Sequence, residues 1–157
     1  RVGVMAKGVM QQFAAPEDIY HRPATGFVAS FIGKPNRLTG AVKVREGAGG
    51  RLAVGSVAIP AACIEQPAGS KVDIVIRQEA VAIRSGRPQA GEIAGEVVLR
   101  SFSGARVQYV VRLAEGVEIV AETASHGPEA ALAIGAPVGL AIDPAAVFAM
   151  PPEGAKP

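Results

Sequence analysis

From Leu38 to Met150 the apolar stretches are short, and each ends at a glycine, a proline or a polar turn. Helices of ordinary length do not fit between such breaks, whereas strands of about four to eight residues do. The alternation inside each stretch agrees. Leu38, Gly40, Val42 and Val44 share one face, with Thr39, Lys43 and Arg45 mostly opposite. Gly47-Ala48-Gly49-Gly50 makes a turn, and Leu52, Val54, Val57 and Ile59 carry the return. After a turn at Pro67–Lys71, Val72, Ile74 and Ile76 point inward; Val81 and Ile83 follow, ahead of the polar stretch Ser85–Gly91. Val97 and Leu99 lead to Phe102, with a turn at Ser103-Gly104. Val107, Tyr109, Val111 and Leu113 then alternate with Arg106, Gln108 and Arg112. Ala114-Glu115-Gly116 turns into Val117, Ile119 and Ala121, with Glu118 and Glu122 on the other face. Half-polar alternation marks antiparallel sheet with one wet face. The chain is mainly β, and its turn spacing predicts a small barrel or sandwich.

An internal repeat divides this region. Gly69-Ser70-Lys71-Val72 and the residues after it match Gly135-Ala136-Pro137-Val138 and theirs, so that Val72, Ile74, Ile76, Ala80 and Val81 align with Val138, Leu140, Ile142, Ala146 and Val147. Earlier in each half, Gly40-Ala41-Val42 echoes Gly95-Glu96-Val97. Two related β units folded into each other to close one barrel-like body are expected.

The region before Leu38 has another character. Val2 and Val4 alternate with small residues, Ala6-Lys7-Gly8 supplies a turn, and Val9 and Met10 resume, which predicts a hairpin over residues 1–13. Two strands alone are marginal in water, so this hairpin needs a sheet to join. Residues 14–36 carry helical patterns. Pro16 and Pro23 suit first helical turns, and Glu17 and Asp18 place negative charge at a helix N-terminus. Phe27 with Phe31, and Val28 with Ile32, give a second helix one apolar face. Gly33 suits a left-handed cap, and Pro35 bars continuation. Residues 37–157 then form the β domain.

Composition excludes several function classes. Aromatic residues make up only 4% of the 157 and Trp is absent, so Val, Ile, Leu and Ala must build the core. A net charge of +2 with scattered Lys and Arg argues against a nucleic-acid partner, which favours a clustered basic stripe. The stacking aromatics that single strands need are also scarce, Phe102 and Tyr109 being among the few in the β domain. No apolar run approaches the roughly 20 residues of a membrane-spanning helix, so direct membrane insertion is not expected. No signal peptide is evident. The single cysteine, Cys63, excludes an internal disulfide, fits a reducing compartment and is expected to be a buried structural thiol. The start at Arg1, inside an alternating pattern, reads as a fragment or processed piece.

Catalytic motifs are missing. Gly33-Lys34-Pro35 lacks the upstream glycine and the hydroxyl of a phosphate-binding loop, and neither G-x-S-x-G nor C-x-x-C occurs. His21 and His126 lie in turn-like contexts, where exposure is expected. Glu118 and Glu122 read as a solvated strand face rather than an acid–base pair.

The run from Arg1 to Asn36 resembles the end of the ATP-binding subunit of importer-type ABC transporters. There, a strand of the form R-[IV]-x-V-M-x-x-G is followed by Q-x-G-x-P-x-x-I-Y-x-x-P and F-V-A-x-F-I-G-x-x-N. Arg1, Val4, Met5, Gly8, Gln12, Pro16, Ile19, Tyr20, Pro23, Phe27, Val28, Ala29, Phe31, Ile32, Gly33 and Asn36 stand at matching positions. The rest resembles the family's transport-associated OB (TOBE) regulatory domain, an OB-like antiparallel barrel. Ala14 replaces a family glycine, and the family's R-P-E reads Arg77-Gln78-Glu79.

The resemblance implies that residues 1–13 are the last strands of an ATPase domain, residues 14–36 a helical connector, and residues 37–157 the regulatory domain. ATP and Mg would bind the missing N-terminal domain, with no cofactor or metal here. Partners would be permease subunits, met through that ATPase domain, and a second copy met through the β domain. The location would be the cytoplasmic face of the cell membrane. The segment Ser101–Leu113 and the one from Gly139 to Pro152 look most like the spermidine/putrescine branch. Arg77 and Glu79 are the candidate regulatory or interface residues. An alternative is a small-ligand sensor holding an oxyanion on backbone N–H groups near Ser101, Ser103 and Gly104.

Overall fold

The computed structural model describes residues 1–152; the end of the expected β domain, 153–157, lies outside the described residues. Val2–Ala6 (β1) and Val9–Ala14 (β2) pair antiparallel around Lys7 and Gly8, both at positive φ. Pro16–His21 (α1) starts with proline at its first turn, as expected. The second helix starts later than Pro23 suggests. It spans Gly26–Phe31 (α2) under Thr25, whose Oγ1 accepts from the Val28 N–H at 3.2 Å. A hydroxyl at the N-cap satisfies a donor that proline merely lacks, and here that sets the start. The expected apolar face is also split. Val28 is buried with Val4 and Ile19, whereas the Phe31 ring stacks on Phe27 and is 62% exposed.

Beyond Asn36 come Asn36–Glu46 (β3), Gly49–Val54 (β4), Val57–Ala61 (β5), Lys71–Ile76 (β6) and Val81–Ser85 (β7). Ile93–Phe102 (β8), Arg106–Arg112 (β9), Glu118–Ala124 (β10), Pro137–Ile142 (β11) and Val147–Met150 (β12) follow. The return after β3 is a hairpin, β4 and β5, because Gly55 at positive φ turns the chain there.

The strands form two five-stranded antiparallel sheets, ordered β12-β6-β3-β4-β5 and β10-β9-β8-β11-β7. Each half therefore keeps four strands and lends its fifth to the other. After β6 a 3-10 turn, Gln78–Ala80, sends β7 to pair with β11; after β11 a 3-10 turn, Pro144–Ala146, sends β12 to pair with β6. The repeat is visible in single hydrogen bonds. Val42 exchanges bonds with Ser70 and Gly69, while Val97 exchanges the same bonds with Ala136 and Gly135. Both β3 and β8 break register just after these valines. One continuous core unites the halves, with Leu52, Ile59, Ile74, Tyr109, Ile119 and Leu140 fully buried.

Close approach needs glycine at equivalent points. A Cβ on Gly40 would lie 2.3 Å from the Ala53 carbonyl oxygen, and one on Gly95 would lie 2.4 Å from a Val111 methyl. Cys63 is exposed, contrary to expectation. Its neighbour Ile64 takes the core position, held by an N–H bond of 2.7 Å to the Ala48 carbonyl.

A candidate regulatory joint

The connector and the barrel meet at Arg77, which immediately follows β6. A charged residue after a strand is ordinarily solvated, yet this one is only 4% exposed. Its Nη1 donates to the Ala29 and Ile32 carbonyls at 2.9 and 2.5 Å, and Nη2 donates to the Tyr20 carbonyl at 3.0 Å. These carbonyls belong to the ends of α2 and α1, where the helix leaves acceptors unpaired and a cation is favoured. The guanidinium also lies 4.1 Å from the Tyr20 ring centroid. Gly33, at positive φ, leaves room for it: a Cβ there would stand 3.1 Å from Nη1. One buried arginine thus caps two helices. Its Nε has no hydrogen-bond partner among the described residues.

Glu79, the other residue singled out by sequence, is exposed on the 3-10 turn and accepts a hydrogen bond from the Tyr20 hydroxyl. Burial, then the hydrogen bond to Glu79, raises the Tyr20 pKa above its ordinary value. The structure therefore brings Arg77 and Glu79 to one residue, Arg77 over the face of the Tyr20 ring and Glu79 at its hydroxyl. A cavity of about 350 Å³ lies beside them, lined also by His21, Asp143 and Phe148.

Three other residues complete the joint. Gln12 ties hairpin to connector, its Nε2 donating to the Arg22 carbonyl at 3.0 Å and its Oε1 accepting from the Ala24 N–H at 2.9 Å. Asn36 ties connector to the far sheet: Oδ1 accepts from the Val120 N–H at 2.6 Å and Nδ2 donates to the Val120 carbonyl at 2.8 Å. The amide mimics a strand peptide on the open edge of β10. Ala29, meanwhile, packs against Val75 and Met150 on the outer face of β6 and β12. Gln12 and Asn36 stood in the sequence motif, but their roles needed the fold. Nothing in sequence spacing marked Tyr20 as the partner of residues almost sixty positions away.

The remaining candidates are placed elsewhere. Ser103 and Gly104 turn the β8–β9 hairpin, and the Ser103 N–H is spent on the Arg106 carbonyl at 2.9 Å. Ser101 pairs with Gln108 inside the ladder. Glu118 meets Arg112 at 3.3 Å, and Glu122 accepts from Gln108 at 2.9 Å, so both carboxylates serve cross-strand contacts. His21 and His126 are exposed. Among the described residues no cluster of His, Cys, Asp and Glu could hold a metal ion, and no helix is long and apolar enough to cross a membrane.

The chain is similar to known proteins over most of its length. Residues 74–150 match the TOBE domain family. The spermidine/putrescine import ATP-binding protein PotA of Rubrobacter xylanophilus is 34% identical over 147 residues, covering 91% of this chain and 38% of that protein. The PotA of Roseobacter denitrificans is 32% identical over 125 residues, 78% of this chain and 34% of its own length. An sn-glycerol-3-phosphate import ATP-binding protein, UgpC of Cereibacter sphaeroides, is 38% identical over 132 residues, 82% of this chain and 34% of that protein. The chain thus spans little more than a third of these relatives. Among solved structures, the cytoplasmic molybdate-binding protein ModG, with molybdate bound, superposes with a TM-score of 0.63 at 21% identity, over 74% of this chain and 96% of that one. That likeness carries the fold alone.

Proposed function

We propose, on the premise that this chain belongs to the TOBE-domain family of importer ATP-binding proteins, that it is the regulatory and dimerisation module of such a subunit. The observation that carries this reading is the Arg77 joint, which fastens the helical connector to the barrel at three carbonyls. A module that passes a signal to an upstream domain needs a stiff attachment of this kind.

The hairpin supplies the other end. Val2, Met5, Val9, Met10 and Phe13 are all exposed, an apolar surface that a two-stranded sheet cannot bury by itself. In our reading, residues 1–13 complete the sheet of an ATPase domain, and that domain holds ATP and Mg. It works beneath permease subunits on the cytoplasmic face of the membrane. The solute is a polyamine such as spermidine or putrescine, or a similar small solute. A second copy meets this one through the β domain. Arg77 acts from inside the joint and Glu79 from its exposed rim, both upon Tyr20.

Reconstitution of the full-length subunit with its permease partners tests the reading. Arg77→Ala is expected to leave ATP hydrolysis within a factor of two while uptake per ATP falls about tenfold, a typical coupling energy. Uptake and hydrolysis that fall together, or neither changing, would overturn it.

A further inference from the structure

The two halves of the barrel are joined covalently only by residues 86–92, and that bridge takes an unusual path. Strands β7 and β8 both run antiparallel to β11, so they are parallel to each other with β11 between them. Ser85 and Gly95 flank the same residue, Val138, roughly 10 Å apart at two strand spacings. A connection between parallel strands usually takes about a dozen residues or more. This one is shorter and runs straight over the outer face of β11. There it passes over Gly139, where a Cβ would come within 2.1 Å of Glu92 Oε2 and 3.1 Å of Pro88 Cα.

The bridge is also pinned. Arg84, on β7, donates to both oxygens of Glu92, at 3.0 and 2.7 Å, and to the Arg87 carbonyl at 2.7 Å. Glu92 accepts the Gln89 N–H at 2.7 Å. Everything else that holds the halves together is non-covalent and reciprocal. Strand β7 lies on β11, β12 lies on β6, the Asn36 side chain lies on Val120, and the Asp143 N–H bonds the Ala80 carbonyl. Each of these contacts would be made equally well between the first half of one chain and the second half of another.

We propose that residues 86–92 are a choice point between self-closure and reciprocal exchange with a second copy of this chain, decided by whether the bridge can cross Gly139. With the crossing intact the chain closes on itself. With it blocked, the bridge extends, and two chains trade complete second halves with no loss of core. The proposal is independent of any role in transport.

Three variants of the 157-residue chain test it, with light scattering after chromatography and circular dichroism as readouts. Gly139→Val is expected to convert a folded chain into an intertwined dimer. Inserting Gly-Ser-Gly after Ala90 in that variant gives the bridge a detour and returns it to the oligomeric state of the parent. Deleting residues 88–90 leaves four residues to arch over β11, which strains the crossing and is expected to shift the chain to the intertwined dimer. A surface dimer of the kind proposed above trades subunits with labelled chain in native buffer, whereas an intertwined one does so only after unfolding. The deletion variant folding as a monomer, any of the new dimers trading subunits natively, or loss of the β signal in both the deletion variant and Gly139→Val would overturn the proposal.

Discussion

At position 77 the first half of the barrel carries an arginine, and at the equivalent position 143 the second half carries an aspartate. Both residues enter a 3-10 turn that hands the next strand to the other sheet. Arg77 reaches outward and holds two helix ends, while Asp143 reaches only to the Ala145 N–H, at 3.0 Å, and caps its own turn. The faces differ in the same way. Val75, Phe148 and Met150 pack at or near the connector, whereas the aligned Ala141 and Ala82 are exposed. Of two similar units, only the first carries the attachment among the described residues.

Removing the fastener is the largest test of this contrast. Arg77→Ala leaves three helix-end carbonyls without their donor and is expected to cost about 3 kcal/mol, the scale for buried acceptors left unsatisfied. Asp143→Ala should cost only about 1 kcal/mol, the ordinary value of a cap. Denaturant unfolding of both variants checks the ratio; equal costs would break the comparison.

The glycines give a second pair. The alanine methyl of Gly40→Ala meets a backbone oxygen at 2.3 Å that cannot yield, while that of Gly95→Ala meets the Val111 and Leu113 side chains first, with the Arg112 carbonyl farther off at 3.2 Å. We expect about 3 kcal/mol for the first and about 1–2 for the second. Asn36→Ala, which strands the Val120 N–H at the seam between the sheets, should cost about 2–3 kcal/mol and leave the β1–β2 hairpin intact. Amide exchange at Val120 reads that loss directly.

The smallest effect concerns pH. The hydrogen bond from Arg84, then that from the Gln89 N–H, holds the Glu92 pKa below its ordinary value. A depressed carboxylate stabilises the fold above its unfolded pKa, and the contribution is lost as pH falls through the folded one. Protection of the Gln89 amide should therefore persist at neutral pH and vanish only below the usual carboxylate range. In Glu92→Gln it should not depend on pH in that window.

The alternation of apolar and polar residues made most strands legible, because a strand buries every second side chain wherever the sheet has one wet face. The exchange of β7 and β12 was foreshadowed by the repeat alone. Periodicity says which face is buried and nothing about which neighbour supplies the hydrogen bonds. Arg77 shows the limit most plainly. A charged residue after a strand is solvated unless distant carbonyls converge on it, and those of Tyr20, Ala29 and Ile32 do so only once the connector has folded back. Cys63 shows the reverse, since a thiol suited to the core lost its place to Ile64 one residue later.

Hydrogen exchange on the intact chain and on Arg77→Ala tests the central claim most directly. If Arg77 fastens the connector to one sheet of the barrel only, α1, α2, β6 and β12 lose protection together, and β8, β9 and β10 keep theirs. Uniform loss across both sheets, or loss confined to the helices, would contradict it.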